Sequence, residues 1–387
     1  MASCPTPIRD AFRRDLGTAQ AEARASVVPK RSRRKDAHWK KWEAYCAAHG
    51  FDPYLRGTPQ AARVSILQVY ATRLRSGKLA PSNRSIKAGT VEDYLRTVGE
   101  EISFLGTDVD PRFTAQGLRV VALKNQATSY SKADPPPEKV KPIPIPLVRH
   151  TVSNLQADDF SQATADLLIV GFFYLLRPGE HCFNADNNKP FRLRDVSFRI
   201  PDVCPPTQNA ATVDLSLLDR ATHVLLTFTN QKNGRKGEAV THGTTPDPML
   251  CPLRAVARRV THLRRNAAPA DTPLHTVIAP SGNRRIGATH LSTALRQSCR
   301  AIGPSLGLRG NHISARALRA GGAMALLRAG VDSTETRIIG RWKSWAMLEY
   351  LHQSAFDTTT FATRMLTGGD YVLSEHAVLP DDVASRL

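Results

Sequence analysis

Thr222-His223-Val224-Leu225-Leu226-Thr227-Phe228-Thr229 is the stretch on which the fold turns. Its β-branched and apolar residues make the pattern of a strand. Asn233-Gly234 follows as a turn signal, and Glu238 to His242 reads as the return strand. Outward from this hairpin, helical spacing takes over. Leu147–Leu155 and Ser161–Leu176 read as helices on its N-terminal side. Cys251–Arg265, Thr289–Ile302, Ala315–Ala329 and Thr334–Ile339 read as helices on its C-terminal side. The expected fold class is mainly α with a small β-sheet, an α+β arrangement.

Further upstream, residues 133–147 read Ala-Asp-Pro-Pro-Pro-Glu-Lys-Val-Lys-Pro-Ile-Pro-Ile-Pro-Leu. Proline at this density favours an extended chain, so this stretch is the expected linker. Residues 35–132 then form a helical domain. Trp39, Trp42, Tyr45 and Cys46 make one aromatic stripe on its first helix. Further helices are expected near Pro59–Leu74, Thr90–Leu105 with Thr90 as N-cap, and Arg112–Ser129. Residues 1–34 read as a basic, weakly structured arm. The run Lys30-Arg31-Ser32-Arg33-Arg34-Lys35 is either a nuclear-import or phosphate-contacting segment, or a solvated helix start. Residues 148–387 form the second domain and its C-terminal tail.

The chain has 387 residues, with 53 Lys+Arg against 34 Asp+Glu, a formal net charge of +19. Such a surplus on a folded protein favours a polyanion, most simply nucleic acid. Hydrophobic content of 41% and charged content of 22% are globular values and exclude wholesale disorder. No apolar run reaches the roughly 18 residues of a spanning helix. Arg9, Asp10, Arg13 and Arg14 stand where a secretory leader would be apolar, so a soluble intracellular protein is expected. Cysteines 4, 46, 182, 204, 251 and 299 form no Cys-x-x-Cys pair and read as free thiols.

Four strings stand out against this background. They are Leu176-Arg177-Pro178-Gly179-Glu180, then Gln231-Lys232-Asn233-Gly234 at the hairpin tip. Next comes Ser314-Ala315-Arg316-Ala317-Leu318-Arg319-Ala320-Gly321-Gly322. The last is Gly340-Arg341-Trp342-Lys343-Ser344, with Tyr350 nine residues after Arg341. In this order they resemble the tyrosine recombinase (phage integrase) superfamily. The wording of the last two, and the trailing Arg364-Met365-Leu366-Thr367-Gly368-Gly369, is most similar to the branch in eukaryotic mobile elements of the Crypton and DIRS kinds. The resemblance covers roughly residues 165–370. The helical domain matches the family's core-binding domain only in general character.

The residue types suit phosphodiester chemistry. Charge accumulates on the phosphate oxygens in a pentacoordinate transition state, and fixed cations stabilise it best in a dry site. Arginine offers a planar fork matched to two phosphate oxygens. Arg177 and Arg319 are the expected clamps, each worth roughly 2.7–4 kcal/mol by analogy with one oxyanion donor. Tyr350 is the expected nucleophile, its phenol made more acidic by neighbouring guanidinium groups. The resemblance implies a 3′-phosphotyrosyl link and a free 5′-hydroxyl. Lys232 is the expected general acid for the leaving 5′-oxygen, with Lys236 as its competitor. Arg316 departs from the His usual in the family and reads as a phosphate ligand, because arginine is a poor base. The base is then water or His312. Arg341, where relatives place His or Trp, reads as a hydrogen-bond donor to phosphate, with Trp342 packed beside it. Glu180 reads as orienting Arg177 or capping the hairpin. The scheme needs no metal, cofactor or ATP.

The leading reading is a DNA integrase or recombinase that clamps duplex DNA between two basic domains. The resemblance implies a homo-tetramer at synapsis, with the segment carrying Phe356, Phe361, Met365 and Leu366 packing in cis or on a neighbour. It implies a nuclear location if the host is eukaryotic. The alternatives are a DNA-binding protein that has lost its chemistry and a type IB topoisomerase-like enzyme. No RRM-like or KH-like motif supports RNA.

Overall fold

The structure, a computed structural model of the chain, describes residues 6–25, 29–80, 82–104, 109–135, 141–155, 158–184, 190–229, 237–342 and 344. Contacts divide it into two compact units, Met1–Pro137 and Glu138–Leu387.

Among its described residues the first unit is built from five helices, α1 (Thr6–Ala25), α2 (Pro29–His49), α3 (Gln60–Arg75), α4 (Ala88–Ser103) and α5 (Val121–Ala133). The stretch expected to be weakly structured thus carries α1, and α2 starts at Pro29, so the whole basic run lies within its first turns. Pro29 is the first helical residue of α2, where its missing N–H costs nothing. The aromatic stripe of α2 faces the core as its spacing requires. Trp42, Tyr45 and Cys46 are buried with Leu67 and Tyr70 of α3 and Leu95 of α4. The Trp42 indole donates to Pro53 O at 2.7 Å, and its ring meets Tyr70 edge-on with centroids 4.9 Å apart.

Two expectations for this unit are corrected. Thr90 does not cap α4, which starts two residues earlier at Ala88. Asp134, just past α5, takes the Ala88 N–H on Oδ2 at 2.8 Å and Arg75 Nη1 on Oδ1 at 2.5 Å. These hydrogen bonds hold the Asp134 carboxyl below its ordinary range. The helix expected over Arg112–Ser129 begins only at Val121. Before it, Arg112 is drawn onto Asp110 through its backbone N–H and its guanidinium, and Phe113 bridges to Arg119.

The second unit runs α6 (Ile145–Ser153), α7 (Asp159–Phe173), the single turn α8 (Pro178–His181), β1 (Val196–Arg199), β2 (Thr207–Asn209), β3 (His223–Thr227), β4 (Ala239–Gly243), α9 (Pro252–Arg265), β5 (Thr276–Val277), β6 (Arg284–Arg285), α10 (Ala288–Ile302), α11 (Arg316–Arg328) and α12 (Ser333–Ile339). The expected α+β class is observed. The main sheet is antiparallel in the order β2-β1-β3-β4, and β5 pairs with β6. The hairpin forms where its pattern placed it. Val224 pairs with His242 and Leu226 with Val240, while Val224 and Leu226 point into the core. The ladder runs on to Phe228, whose N–H donates to Glu238 O at 2.7 Å.

Helix α7 is the hub of this unit. Its residues from Ala163 to Phe172 are buried on every face, the apolar run from Leu167 together with Thr164 and with Asp166, which pairs with Arg258. Asp158 caps it, accepting from the N–H groups of Phe160 and Ser161 at 2.9 and 3.2 Å. α11 lies tight against it because of Gly321 and Gly322. A Cβ on Gly322 would stand 2.2 Å from Phe172 O, and one on Gly321 would stand 2.3 Å from Ile143 O. Ile143 is fully buried, and α6 begins at Ile145. The C-terminal part of the proline-rich stretch is therefore packed into this unit and is not free linker. Among the described residues, no helix is long and apolar enough to cross a membrane.

Candidate active site

The site grows from the turn between α7 and α8. α7 ends at Phe173, and Pro178 keeps the preceding Arg177 extended, with φ −75° and ψ 147°. Tyr174 is buried and anchors the turn on the sheet through its hydroxyl, which donates to Val224 O at 3.1 Å. Leu175 then takes a left-handed conformation, φ 49°, which is uncommon for a branched side chain. This turns its carbonyl toward α11 and α12. Arg319 Nη1 donates to that carbonyl at 2.8 Å and Arg341 Nη2 at 3.1 Å.

Arg177 starts α8. Its backbone N–H donates to Glu180 Oε2 at 2.8 Å and its Nη1 to Glu180 Oε1 at 3.1 Å. The Glu180 carboxylate also accepts from Arg341 Nη2 at 3.2 Å. One buried carboxylate thus ties two arginines together. The expected role of Glu180, orienting Arg177, describes this geometry only in part, because Arg341 shares it.

The arginines differ in access. The Arg177 side chain is 32% exposed and Arg316, the first residue of α11, is exposed, whereas Arg319 and Arg341 are each 4% exposed. Arg319 stacks on Trp342 with its guanidinium carbon 4.3 Å from the ring centroid, and Nη2 donates to Gly340 O. Arg341 lies 4.1 Å from the Phe228 ring centroid. Burial pulls the Arg341 guanidinium below its ordinary pKa, and the Glu180 carboxylate opposes that shift. The Gly340-Arg341-Trp342 string has a steric basis. A Cβ on Gly340 would fall 1.5 Å from the Trp342 ring, and Arg341 itself is left-handed with φ 55°.

Arg177, Arg319 and Arg341 are thus brought together around Leu175 and Glu180, with Arg316 one turn before Arg319. His312 closes a short 3-10 turn, Gly310–His312, where its Nδ1 accepts the Arg309 N–H at 3.3 Å. α11 does not extend back to it. Lys232, its competitor Lys236, Tyr350 and the apolar tail residues Phe356, Phe361, Met365 and Leu366 lie outside the described residues.

Sequence reasoning missed two participants, the Leu175 carbonyl and His181. The Leu175 carbonyl carries no side-chain signal. His181 and His275 are buried imidazoles, both pushed down to about 4 by burial. His181 Nδ1 donates to Arg177 O at 3.1 Å, which makes it a backbone support of the Arg177 turn.

No family model matches the chain, and no curated protein does. Solved structures do. The chain is similar to the Tn1549 transposon integrase in complex with circular intermediate DNA, at 15% identity over 78% of this chain and 84% of that one, with a TM-score of 0.42. It is similar to the XerH site-specific recombinase bound to difH substrate, at 12% identity over 80% and 71%, with a TM-score of 0.43. It is also similar to the integrase from mycobacterium phage Brujita, at 16% identity over 98% and 97%, with a TM-score of 0.30. Scores of this size leave the chemistry to the residues themselves.

Proposed function

We propose that this chain is a tyrosine recombinase that cleaves and rejoins DNA strands, integrating or excising a mobile element. The observation that carries the reading is the meeting of Arg177, Arg319 and Arg341 at one turn. They come from three separate sequence strings; Arg319 and Arg341 share the Leu175 carbonyl, and Arg177 and Arg341 share the Glu180 carboxylate. A cluster of three guanidinium groups with one carboxylate carries net positive charge, which an anionic phosphate would offset.

In this reading the Tyr350 phenol oxygen attacks the scissile phosphorus as its proton passes to water or His312. The bond from phosphorus to the 5′-oxygen breaks, and Lys232 supplies the proton to that oxygen. Arg177, Arg319 and Arg316 offset charge on the phosphate oxygens, and Arg341 completes the cluster. The phosphotyrosyl ester conserves the bond energy, so a 5′-hydroxyl can reverse the step without ATP. Phosphate contacts should dominate affinity for duplex DNA, with sharp salt dependence. Synapsis as a homo-tetramer and a nuclear location in a eukaryotic host belong to the same reading.

Arg316 favours a second reading, a DNA-binding protein that has lost its chemistry, because arginine cannot serve as the base. One experiment separates the two. Wild type and Tyr350→Phe are incubated with nicked duplex DNA carrying the element's own ends, then denatured in SDS. A covalent adduct with wild type alone is expected. Equal, salt-sensitive binding by both proteins with no adduct would leave a binding protein.

A further inference from the structure

We propose that Arg341 is a positioning residue, which locks the Leu175 turn and the Glu180 carboxylate and thereby sets Arg177 and Arg319, and that it is not a phosphate ligand. The inference rests on the recombinase reading for what the arginines act on. Its geometry stands without that reading.

The hydrogen count makes the case. A guanidinium carries four terminal N–H groups, two on each Nη. Arg341 Nη1 has two acceptors, Ile339 O at 2.8 Å and Tyr174 O at 3.3 Å. Nη2 has two more, Leu175 O at 3.1 Å and Glu180 Oε2 at 3.2 Å. All four terminal hydrogens are matched inside the protein. A phosphate contact at either Nη would displace one of these acceptors. The side chain is 5% exposed and lies over the Phe228 ring.

The same residue links the other arginines. Through Glu180 it reaches Arg177, because each guanidinium holds one oxygen of that carboxylate. Through the Leu175 carbonyl it reaches Arg319, which donates to the same atom. The left-handed turn at Arg341 adds a third tie, since the preceding Gly340 O accepts from Arg319 Nη2. Loss of Arg341 would leave Tyr174 O, Leu175 O and Glu180 short of a donor and release the Leu175 turn. A displacement of about 1 Å at such a site can cost about a hundredfold in rate.

Two readouts test this on the full chain with the nicked duplex of the trapping assay. The first is the slope of log affinity against log salt, which falls by about 0.9 for each phosphate contact removed. The second is the single-turnover rate constant of adduct formation at saturating DNA. A misfolded fraction lowers its amplitude but not the rate constant. For Arg341→Met the slope should equal wild type while the rate constant drops about a hundredfold. Arg177→Ala should lower both. Glu180→Gln is the second variant, in case Arg341→Met folds poorly. It should also slow the step with the slope unchanged.

A slope reduced by one contact in Arg341→Met would make Arg341 a phosphate ligand and overturn the proposal. A reduced amplitude with an unchanged rate constant would overturn it too, by leaving only a structural role. Failure of wild type to form any adduct is the failure of the recombinase reading. The slopes would still decide whether Arg341 meets phosphate.

Discussion

The two units handle buried positive charge differently. In the N-terminal unit, arginines that turn inward mostly meet carboxylates. Arg75 pairs with Asp134, Arg112 with Asp110 and Arg119 with Glu92, although Arg63 donates to Thr58 O. In the C-terminal unit the most deeply buried arginines turn mainly to the backbone. Arg259, 2% exposed, donates to Leu274 O and Thr276 O, and Arg319 donates to Leu175 O and Gly340 O. A carbonyl satisfies an N–H group but does not cancel a full charge. The first unit neutralises its interior, held by an aromatic cluster around Trp42. The second keeps positive charge in place around the Leu175 turn, an arrangement that suits an anionic ligand.

Four measurements would break or sharpen this contrast. Urea unfolding with pulse-labelling hydrogen exchange reads the units separately. Trp42→Ala should cost about 3–5 kcal/mol in the first unit, through a cavity among Tyr45, Tyr70 and the indole's lost partner Pro53 O. Protection in the second unit should not change, and an equal loss there would show that the units fold as one.

Gly322→Ala should cost about 3 kcal/mol in the second unit alone, because its new Cβ meets Phe172 O. Tolerance of that change would mean that α11 does not pack on α7 as described.

Acid should also separate the units. His181 and His275, pushed down to about 4 by burial, stay neutral in the folded state below the ordinary imidazole range. The unfolded chain then binds more protons between that range and about pH 4. Their contribution is whole above about pH 6.5 and lost as pH falls toward 4, roughly 2 kcal/mol per imidazole between pH 7 and 5. The first unit has one counterpart, His38, also lowered by burial. The second unit should therefore lose the larger part of its urea midpoint over that range. Equal losses in both units would contradict the assignment.

The smallest effect is expected at Arg34→Ala, which removes an exposed pair with Asp93 at 2.5 Å. The expected change is about 0–1 kcal/mol, reduced further by salt. A larger loss in the same unfolding experiment would show that surface pairing carries more of the first unit than its aromatic core suggests.

Much of this molecule was legible without coordinates. The 3.6-residue spacing of Trp42, Tyr45 and Cys46 placed a buried stripe, and the unbroken apolar run of α7 placed a central helix. The β-branched and apolar residues of Thr222–Thr229, with the turn signal after them, placed the hairpin. Local rules sufficed there because each pattern repeats within one element. They failed where a distant group intervened. Thr90 had the right chemistry for a cap, but Asp134 supplied the acceptor for the Ala88 N–H from 46 positions further along the chain.

The candidate site divides along the same line. Sequence by itself determined which side chains could serve phosphate chemistry: Arg177, Arg316, Arg319 and Arg341, with Lys232 and Tyr350 in order around them. It also set Gly321, Gly322 and Gly340 inside the strings that stand out, without giving them a role. Only the tertiary structure decided which arginines face outward and which are buried. It also decided that Glu180 serves two of them, and that a leucine carbonyl joins Arg319 to Arg341. The reason is physical. A side chain's chemistry belongs to the residue, whereas its access and partners depend on contacts such as Leu175 with Arg319, 144 positions apart, which no local pattern encodes.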